Sequence, residues 1–397
     1  MTVLRAVELA AGWGVALLWA TRTVAWMRGM SRLPDLHRET AAPNRSVSVI
    51  VPARNEEDNV AAGLRSLLAS KDVDLEVVAL DDRSEDRTGA IMEELRQRER
   101  VPGVHYVVEH IENLPYRWLG KPHAMARGAA LAKGEWLLFT DADVVFAADA
   151  LARALAYAER AGVDHLVVVP TLMARTAGER MMLPFLYVLS IWGPRMWRVA
   201  DPRSRDAVGV GAFNLMRRST YDHVGGWERL RMEVIEDLRM GVVIKQSGFR
   251  SSVAVGRDLV RIRWAKGARG VVSNLTKNVF AAFRFRIGLA AVGTTVLTVM
   301  CLLPFAGIVL GLGDRAWLWP SLSSIASLAA LYWRHRRFAD PNSAASVLWL
   351  VTFPAAALVF AYAMVRSTAL TLVRRGVVWR GTFYSLGELR EHLGPLR

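Results

Sequence analysis

Apolar positions follow two regimes along the chain. From Ser46 to about Phe280 they come in short β-branched runs separated by stretches of helical spacing; towards both ends they form long unbroken runs. Val47-Ser48-Val49-Ile50-Val51, closed by Pro52, predicts a buried strand. Residues 59–70 then carry Val60, Leu64, Leu67 and Leu68 on one helical face. Further strands are expected over 75–80, 104–108 and 136–140, with a charged amphipathic helix over 88–100 and an alanine-rich helix over 123–133. Strands alternating with helices predict an α/β fold, a mostly parallel sheet with helices on both faces. Ligands of such sheets sit beyond the carboxyl ends of the strands.

The long runs are of another kind. Residues 287–313, 316–333 and 343–365 are uncharged and apolar, each about long enough to cross a bilayer core, which takes roughly 20 helical residues. Residues 6–21 form a fourth run. A cleaved signal peptide is the alternative there, but only Arg5 precedes the run and no small-x-small cleavage site follows it. An uncleaved anchor is expected, with Arg22, Arg28 and Arg32 holding its C-terminal end in the cytoplasm. Arg334-His335-Arg336-Arg337 agrees with a cytoplasmic loop. If all three C-terminal runs span, the Arg-rich tail from Arg366 lies outside. Either the last run is re-entrant or interfacial, or the tail departs from the positive-inside tendency.

Composition narrows the partners. The chain has 397 residues, 52% of them hydrophobic, and a formal charge of +14. Its basic residues gather beside apolar runs, eight basic against one acidic between Arg257 and Arg286, which favours an anionic membrane surface over nucleic acid. Cys301 is the single cysteine, so neither an internal disulfide nor a cysteine metal site is available. A small transporter is disfavoured, because the runs contain essentially no intramembrane charge.

Three strands end in polar clusters: Pro52-Ala53-Arg54-Asn55-Glu56-Glu57, then Asp81-Asp82-Arg83-Ser84-Glu85-Asp86-Arg87-Thr88, then Asp141-Ala142-Asp143. Each alone has a plain structural alternative; Asp86 fits a helix N-cap, and acids are common in turns. Together, at one edge of one sheet, they point to a site. Asp141 and Asp143 can converge on a hard divalent cation, Mg²⁺ or Mn²⁺, which commonly bridges one or two carboxylates to substrate phosphates. Asp81 or Asp82 can accept hydrogen bonds from a nucleobase or ribose. Lys121, between Gly120 and Pro122, is a candidate donor to the nucleotide or its phosphates.

This succession of motifs, from Val-Ser-Val-Ile-Val-Pro-Ala-Arg-Asn-Glu-Glu through Asp81-Asp82, Gly120-Lys121 and Thr140-Asp141-Ala142-Asp143, resembles the family 2 glycosyltransferases. The resemblance spans about residues 46–278. It implies the GT-A fold, a Rossmann-like nucleotide-diphospho-sugar transferase architecture. It also implies that Pro52, Ala53, Asn55, Glu56, Asp81, Asp82, Lys121, Asp141 and Ala142 bind the nucleotide sugar, with Asp143 and Asp141 at the metal. Val224-Gly225-Gly226-Trp227 followed by Val234-Ile235-Glu236-Asp237 completes the likeness. It implies inversion at the anomeric carbon with Asp237 as general base and Glu236 as its orienting neighbour or an acceptor contact. The plainer alternative is that both acids only favour the dipole of a helix over 238–246.

Processive polysaccharide synthases carry Gln-x-x-Arg-Trp further on. Here the stretch is Val260-Arg261-Ile262-Arg263-Trp264, without the Gln, and Arg263 and Trp264 remain as diphosphate contacts. With Val378-Trp379-Arg380-Gly381-Thr382-Phe383-Tyr384 near the end, the plan is similar to the bacterial subgroup that glycosylates lipids, with carotenoid-associated, hopanoid-associated and ceramide-type members. The expected layout is an anchor at 1–32, a catalytic domain at 44–284, transmembrane helices at 285–366 and a basic tail at 367–397. The expected protein is a multi-pass enzyme of the cytoplasmic membrane, its catalytic domain in the cytoplasm. It would use a nucleotide diphosphate sugar, UDP-linked by expectation, and a lipid acceptor. A polysaccharide synthase and a catalytically silent nucleotide-sugar-binding regulator are the alternatives. Residues 181–197, with Phe185, Tyr187, Trp192 and Trp197, suit an acceptor groove, a membrane-interface segment or a buried core helix.

Overall fold

The computed structural model describes residues 3–40, 45–99, 101–336 and 347–393. Arg337 of the expected cytoplasmic loop, the start of the run at 343–365 and the last four residues of the tail lie outside them. The strands are β1 (Ser46–Ala53), β2 (Asp74–Asp82), β3 (Val104–Ile111), β4 (Trp136–Phe139), β5 (Val144–Phe146), β6 (His165–Leu172), β7 (Asn214–Arg217), β8 (Ser251–Ile262), β9 (Gly376–Trp379) and β10 (Thr382–Ser385). The helices are α1 (Val3–Met30), α2 (Val60–Leu68), α3 (Thr88–Arg98), α4 (Gly120–Leu131), α5 (Ala150–Ala161), α6 (Ala177–Leu189), α7 (Arg218–His223), α8 (Glu236–Gln246), α9 (Gly267–Ala282), α10 (Ile287–Leu310), α11 (Leu318–His335), α12 (Phe353–Val373) and α13 (Leu386–Glu391).

The chain divides into two compact units, one of Leu33–Leu172, Met196–Trp264 and Val377–Arg397, the other of Met1–Arg32, Met173–Arg195 and Ala265–Gly376. The first is α/β. β1 to β8 form one mixed sheet in the order β3-β2-β1-β4-β7-β6-β8-β5. β1, β2, β3 and β4 run parallel, and β7 returns antiparallel to β4. The strand alternation explains the two covering layers. Val47, Val49 and Val51 of β1 share a core with Val60, Leu64, Leu67 and Leu68 of α2, while Ile50 belongs to the core containing Ala124, Met125 and Ala129 of α4. Full burial of each such aliphatic side chain contributes about 1.5–3 kcal/mol. α4 lies so close to the sheet that a Cβ on Gly128 would stand 2.5 Å from Ile50 Cγ2. The alanine- and glycine-rich composition of this helix follows from that approach.

One buried polar knot holds the parallel strands in register. Ser48 is fully buried; its Oγ accepts from the Gly134 N–H at 2.7 Å and donates to Glu76 of β2 at 2.5 Å. Glu76 in turn accepts from the Lys133 N–H at 2.7 Å. The turn entering β4 is thereby pinned to β1 and β2.

The second unit is helical. Among the described residues, two helices are long and apolar enough to cross a membrane, Ile287–Leu310 and Val347–Val373. The sequence pattern gave four candidate runs. The other two are helical, but α1 carries Arg5, Glu8 and Arg22, and α11 is diluted by four serines and ends in Arg334-His335, so neither reaches that length and apolarity. Within this unit Trp19 of α1 donates its indole N–H to the Met300 carbonyl of α10 at 3.0 Å, and its ring meets Trp192 edge-on at 5.4 Å. Phe185 of α6 is buried against Phe353 of α12, ring centroids 5.0 Å apart. Of the expected stretch 181–197, residues up to Leu189 belong to helix α6, and Pro184 sits inside that helix rather than at its end.

The Ser48 knot predicts that Ser48→Ala, which strands the Gly134 N–H and one bond of Glu76, lowers unfolding stability by about 1–3 kcal/mol in urea titration. A change below about 0.5 kcal/mol would show that the knot is not needed.

Candidate functional site

The three polar clusters lie side by side because β2, β1 and β4 are adjacent parallel strands. Ala53 at the end of β1 pairs with Asp81 near the end of β2, and Thr140 N–H bonds to the Ile50 carbonyl before the chain turns into Asp141-Ala142-Asp143. The first two loops are laced together. Asn55, at φ 54°, accepts from the Glu85 N–H at 2.8 Å while its own N–H donates to Ser84 Oγ at 3.1 Å. The Glu56 N–H donates to Thr88 Oγ1 and the Glu57 N–H to Asp86. Asp86 also accepts from the Thr88 N–H at 2.9 Å, so it ties the loops to the first residue of α3; the N-cap position itself is Arg87, not Asp86.

Lys121 is the centre of the site. It lies in the first turn of α4, which begins at Gly120 rather than at His123, and its ammonium is 2.7 Å from Asp141 Oδ1 and 2.8 Å from Glu236 Oε1. Burial pulls its pKa down, but the carboxylates of Asp141, Glu236 and Asp237 outweigh that and hold it well above the ordinary lysine range. Burial raises Asp141, yet the charges of Lys121 and Arg380 leave it below the usual carboxylate value. Its side chain remains 31% exposed, so a ligand can reach it.

Glu236 and Asp237 open α8. Glu236 is buried against Lys121. Asp237 is fixed by two backbone donors, the Gly211 N–H to Oδ2 at 2.8 Å and the Leu238 N–H to Oδ1 at 2.7 Å. Burial and the neighbouring Glu236 push its pKa up to about 6, against the opposing pull of Lys121. The segment before β7 makes this possible by running close over the turn of α8. A Cβ on Gly209 would fall 1.7 Å from the Asp237 carbonyl, and one on Gly211 would stand 2.7 Å from Asp141 Oδ2. Gly225-Gly226-Trp227 works from beneath. Both glycines have positive φ, and the buried Trp227 ring meets Phe139 at the end of β4 edge-on at 5.1 Å.

For Asp143 the pull of Lys121 is the smallest of several influences. Burial, Asp141 and Glu56 together raise its pKa to about 7. Among the described residues no group of three or more His, Cys, Asp or Glu side chains is gathered as a ready cation cage. The donor set of Asp143 and Asp141 consists of hard oxygens under mutual repulsion, which suits Mg²⁺ or Mn²⁺ completed by substrate phosphates rather than a closed protein cage.

The remaining expected residues are placed as follows. Pro52 and Ala53 are buried at the end of β1, and Ala142 is buried in the loop beyond β4. Asp81 accepts from the Ser84 N–H at 3.2 Å and is 2.9 Å from His110 Nδ1. Asp82 is fully buried and paired with Arg83 at 2.8 Å and Arg380 at 3.3 Å. Ile262 of β8 pairs with Val144, next to Asp143, so Arg263 and Trp264 leave the sheet at the same edge. Val260, where processive synthases carry Gln, is fully buried opposite Phe146 of β5.

Sequence reasoning missed the Gly209–Gly211 approach, His110 and the pairing of Arg380 with Asp82. Only the last left a signal. Residues 367–397, expected as a basic tail, include the hairpin β9–β10 and helix α13. Val378-Trp379-Arg380-Gly381-Thr382-Phe383 has a two-residue turn between strand-forming residues, and both turn residues have positive φ, 46° and 75°.

Residues 48–225 match the family described as Glycosyl transferase family 2. A 4,4'-diaponeurosporenoate glycosyltransferase of Staphylococcus haemolyticus is 25% identical over 238 residues, covering 59% of this chain and 61% of that protein. The protein of that name from Staphylococcus aureus (strain USA300) is 23% identical over 356 residues, covering 87% of this chain and 90% of the relative. Among solved structures, a mannosyltransferase from Pyrobaculum calidifontis, in complex with GDP-Man and Mn²⁺, superposes with a TM-score of 0.53 at 19% identity, over 93% of this chain and 97% of that one. That likeness is one of fold, and the fold is GT-A.

The raised Asp143 pKa has a consequence for stability without metal. From an ordinary value of 3.8 to a folded value of about 7, the folded state holds the extra proton, so stability falls as pH rises through that window. Asp143→Asn removes the repelled carboxylate. Thermal melts of metal-free protein should show the variant more stable at pH 8, by about 1–4 kcal/mol, and equal to the parent below about pH 4. A variant less stable than the parent at pH 8 contradicts this environment for Asp143.

Proposed function

We propose that this chain, whose residues 48–225 match the glycosyl transferase family 2 model, is a glycosyltransferase that moves a sugar, with inversion, from a nucleotide diphosphate sugar to a lipid acceptor at the cytoplasmic face of a membrane. The observation that carries the reading is the arrangement of Asp237. Two backbone N–H groups aim its carboxylate, its pKa of about 6 is near working pH, and Lys121 holds two further carboxylates beside it. A general base is most effective with its pKa near the operating pH.

Asp237 takes the proton from the acceptor hydroxyl as that oxygen attacks the anomeric carbon on the side opposite the diphosphate. Glu236 is buried and ion-paired with Lys121, so it orients its neighbour and leaves the proton transfer to Asp237. Asp143, with Asp141, would hold the divalent cation, which would supply positive charge to a diphosphate leaving group. Asn55 and the laced loops around it shape the donor end, and Arg263 and Trp264 enter from the end of β8. The lipid acceptor is supported by the carotenoid glycosyltransferase names of the relatives and by the two apolar helices that would keep the enzyme at a bilayer. The burial of Val260 inside the sheet favours a single-transfer enzyme over a processive synthase.

Membranes containing the protein, given labelled nucleotide sugars, should place label in the lipid extract; label confined to water-soluble polymer would favour a polysaccharide synthase. Asp237→Asn should bind nucleotide diphosphate like the parent and transfer at least about a hundredfold more slowly. The parent's activity should fall as pH drops through about 6, where Asp237 becomes protonated. Parental turnover in Asp237→Asn would assign the base elsewhere.

A further inference from the structure

The hairpin β9–β10 is too small to be stable alone. Its turn, Arg380-Gly381, lies against the donor-side loops. Arg380 Nη1 is 3.3 Å from Asp82 Oδ2, Arg83 Nη1 donates to Thr382 Oγ1 at 3.5 Å, and a Cβ on Gly381 would stand 2.9 Å from Arg54 Nη2. The helix that follows is tied down by Tyr116 to Glu388 and Arg117 to Glu391, both at 3.4 Å. Three guanidinium groups thus meet at one place. Two carboxylates stand against them among the described residues: Asp82, which is fully buried and shared by Arg83 and Arg380, and Glu85, which is 82% exposed and 3.7 Å from Arg54. Arg54 Nη1 and Arg83 Nη2 are buried without a protein hydrogen-bond partner among the described residues. Buried guanidinium N–H groups are costly to leave unpaired, so the cluster has hydrogen-bonding capacity that an anion would satisfy. The charge of Arg380 also helps to lower the pKa of Asp141, after the larger effect of Lys121.

We infer that the C-terminal hairpin is part of the donor site and that Arg380, with Arg54 and Arg83, grips the diphosphate of the nucleotide sugar. The inference rests on the glycosyl-transfer reading and names the contact that holds the donor. The planar forks match phosphate oxygens, which accept paired N–H donors. The left-handed turn aims Arg380 inward and brings it to loops nearly three hundred residues earlier in the chain; Asp82 keeps it there before the donor arrives.

The test uses full-length protein in detergent, with inorganic pyrophosphate plus Mn²⁺ as a probe of direct binding and the donor KM as a second readout. Arg380→Gln should weaken pyrophosphate binding about tenfold and raise donor KM by a similar factor, with kcat little changed. The double variant Asp82→Asn/Arg380→Gln should remain as weak as the single. Parental pyrophosphate affinity in Arg380→Gln overturns the inference. So does recovery in the double variant, which would make Arg380 only the counter-ion of Asp82. If Arg380→Gln does not fold, Arg380→Lys keeps a charge beside Asp82 while losing the fork; a severalfold loss supports the inference, and parental affinity overturns it. A parent that binds pyrophosphate through Arg380 but transfers no sugar would sink the glycosyl-transfer reading and leave the anion site standing.

Discussion

A lysine ammonium 2.7 Å from Asp141 and 2.8 Å from Glu236 decides where the carboxylates of this site can stand. Asp141 ends the β4 side, Glu236 and Asp237 open α8, and Lys121 comes from the first turn of α4. Without the lysine, burial and mutual repulsion would drive these acids to take up protons. With it, Asp141 stays below the usual carboxylate range and Asp237 rises only to about 6. Loss of one partner from a buried ion pair costs about 3–5 kcal/mol. The close approach of Gly209 and Gly211, and the Trp227 ring under Phe139, are means of bringing three elements near enough to share that charge.

Much of the α/β unit was legible in the sequence because its signals are local. The β-branched run at Val47–Val51, the face carrying Val60, Leu64, Leu67 and Leu68, and the acids following each strand all depend on short spacing. The order β2-β1-β4 then brings the acidic clusters to one edge. Boundaries were less legible. α4 starts at Gly120, so Lys121 is a helix residue beside carboxylates rather than a loop residue. Of the four apolar runs, two form helices long and apolar enough to cross a membrane among the described residues, while α1 and α11 carry charges or serines.

The pairing of Asp82 with Arg380, 298 residues apart, had no periodic signature. A run rich in arginine near the end of a chain reads as a solvated tail until the Arg-Gly turn is recognised as a hairpin with both residues at positive φ. The same limit applied to Gly211. Its need for a missing side chain comes from Asp141 and Lys121, neither of which is its neighbour in sequence.

In the proposed reaction Asp237 must be without its proton before transfer, and Lys121 restrains its pKa. The most direct measurement is the pH–rate profile of Lys121→Met beside that of the parent. Removal of the ammonium should move the acid limb upward from about 6, because the Lys121 charge is what lowers Asp237 against burial and Glu236. An acid limb unchanged from the parent's in the folded, active variant would contradict the coupling on which this description of the site stands.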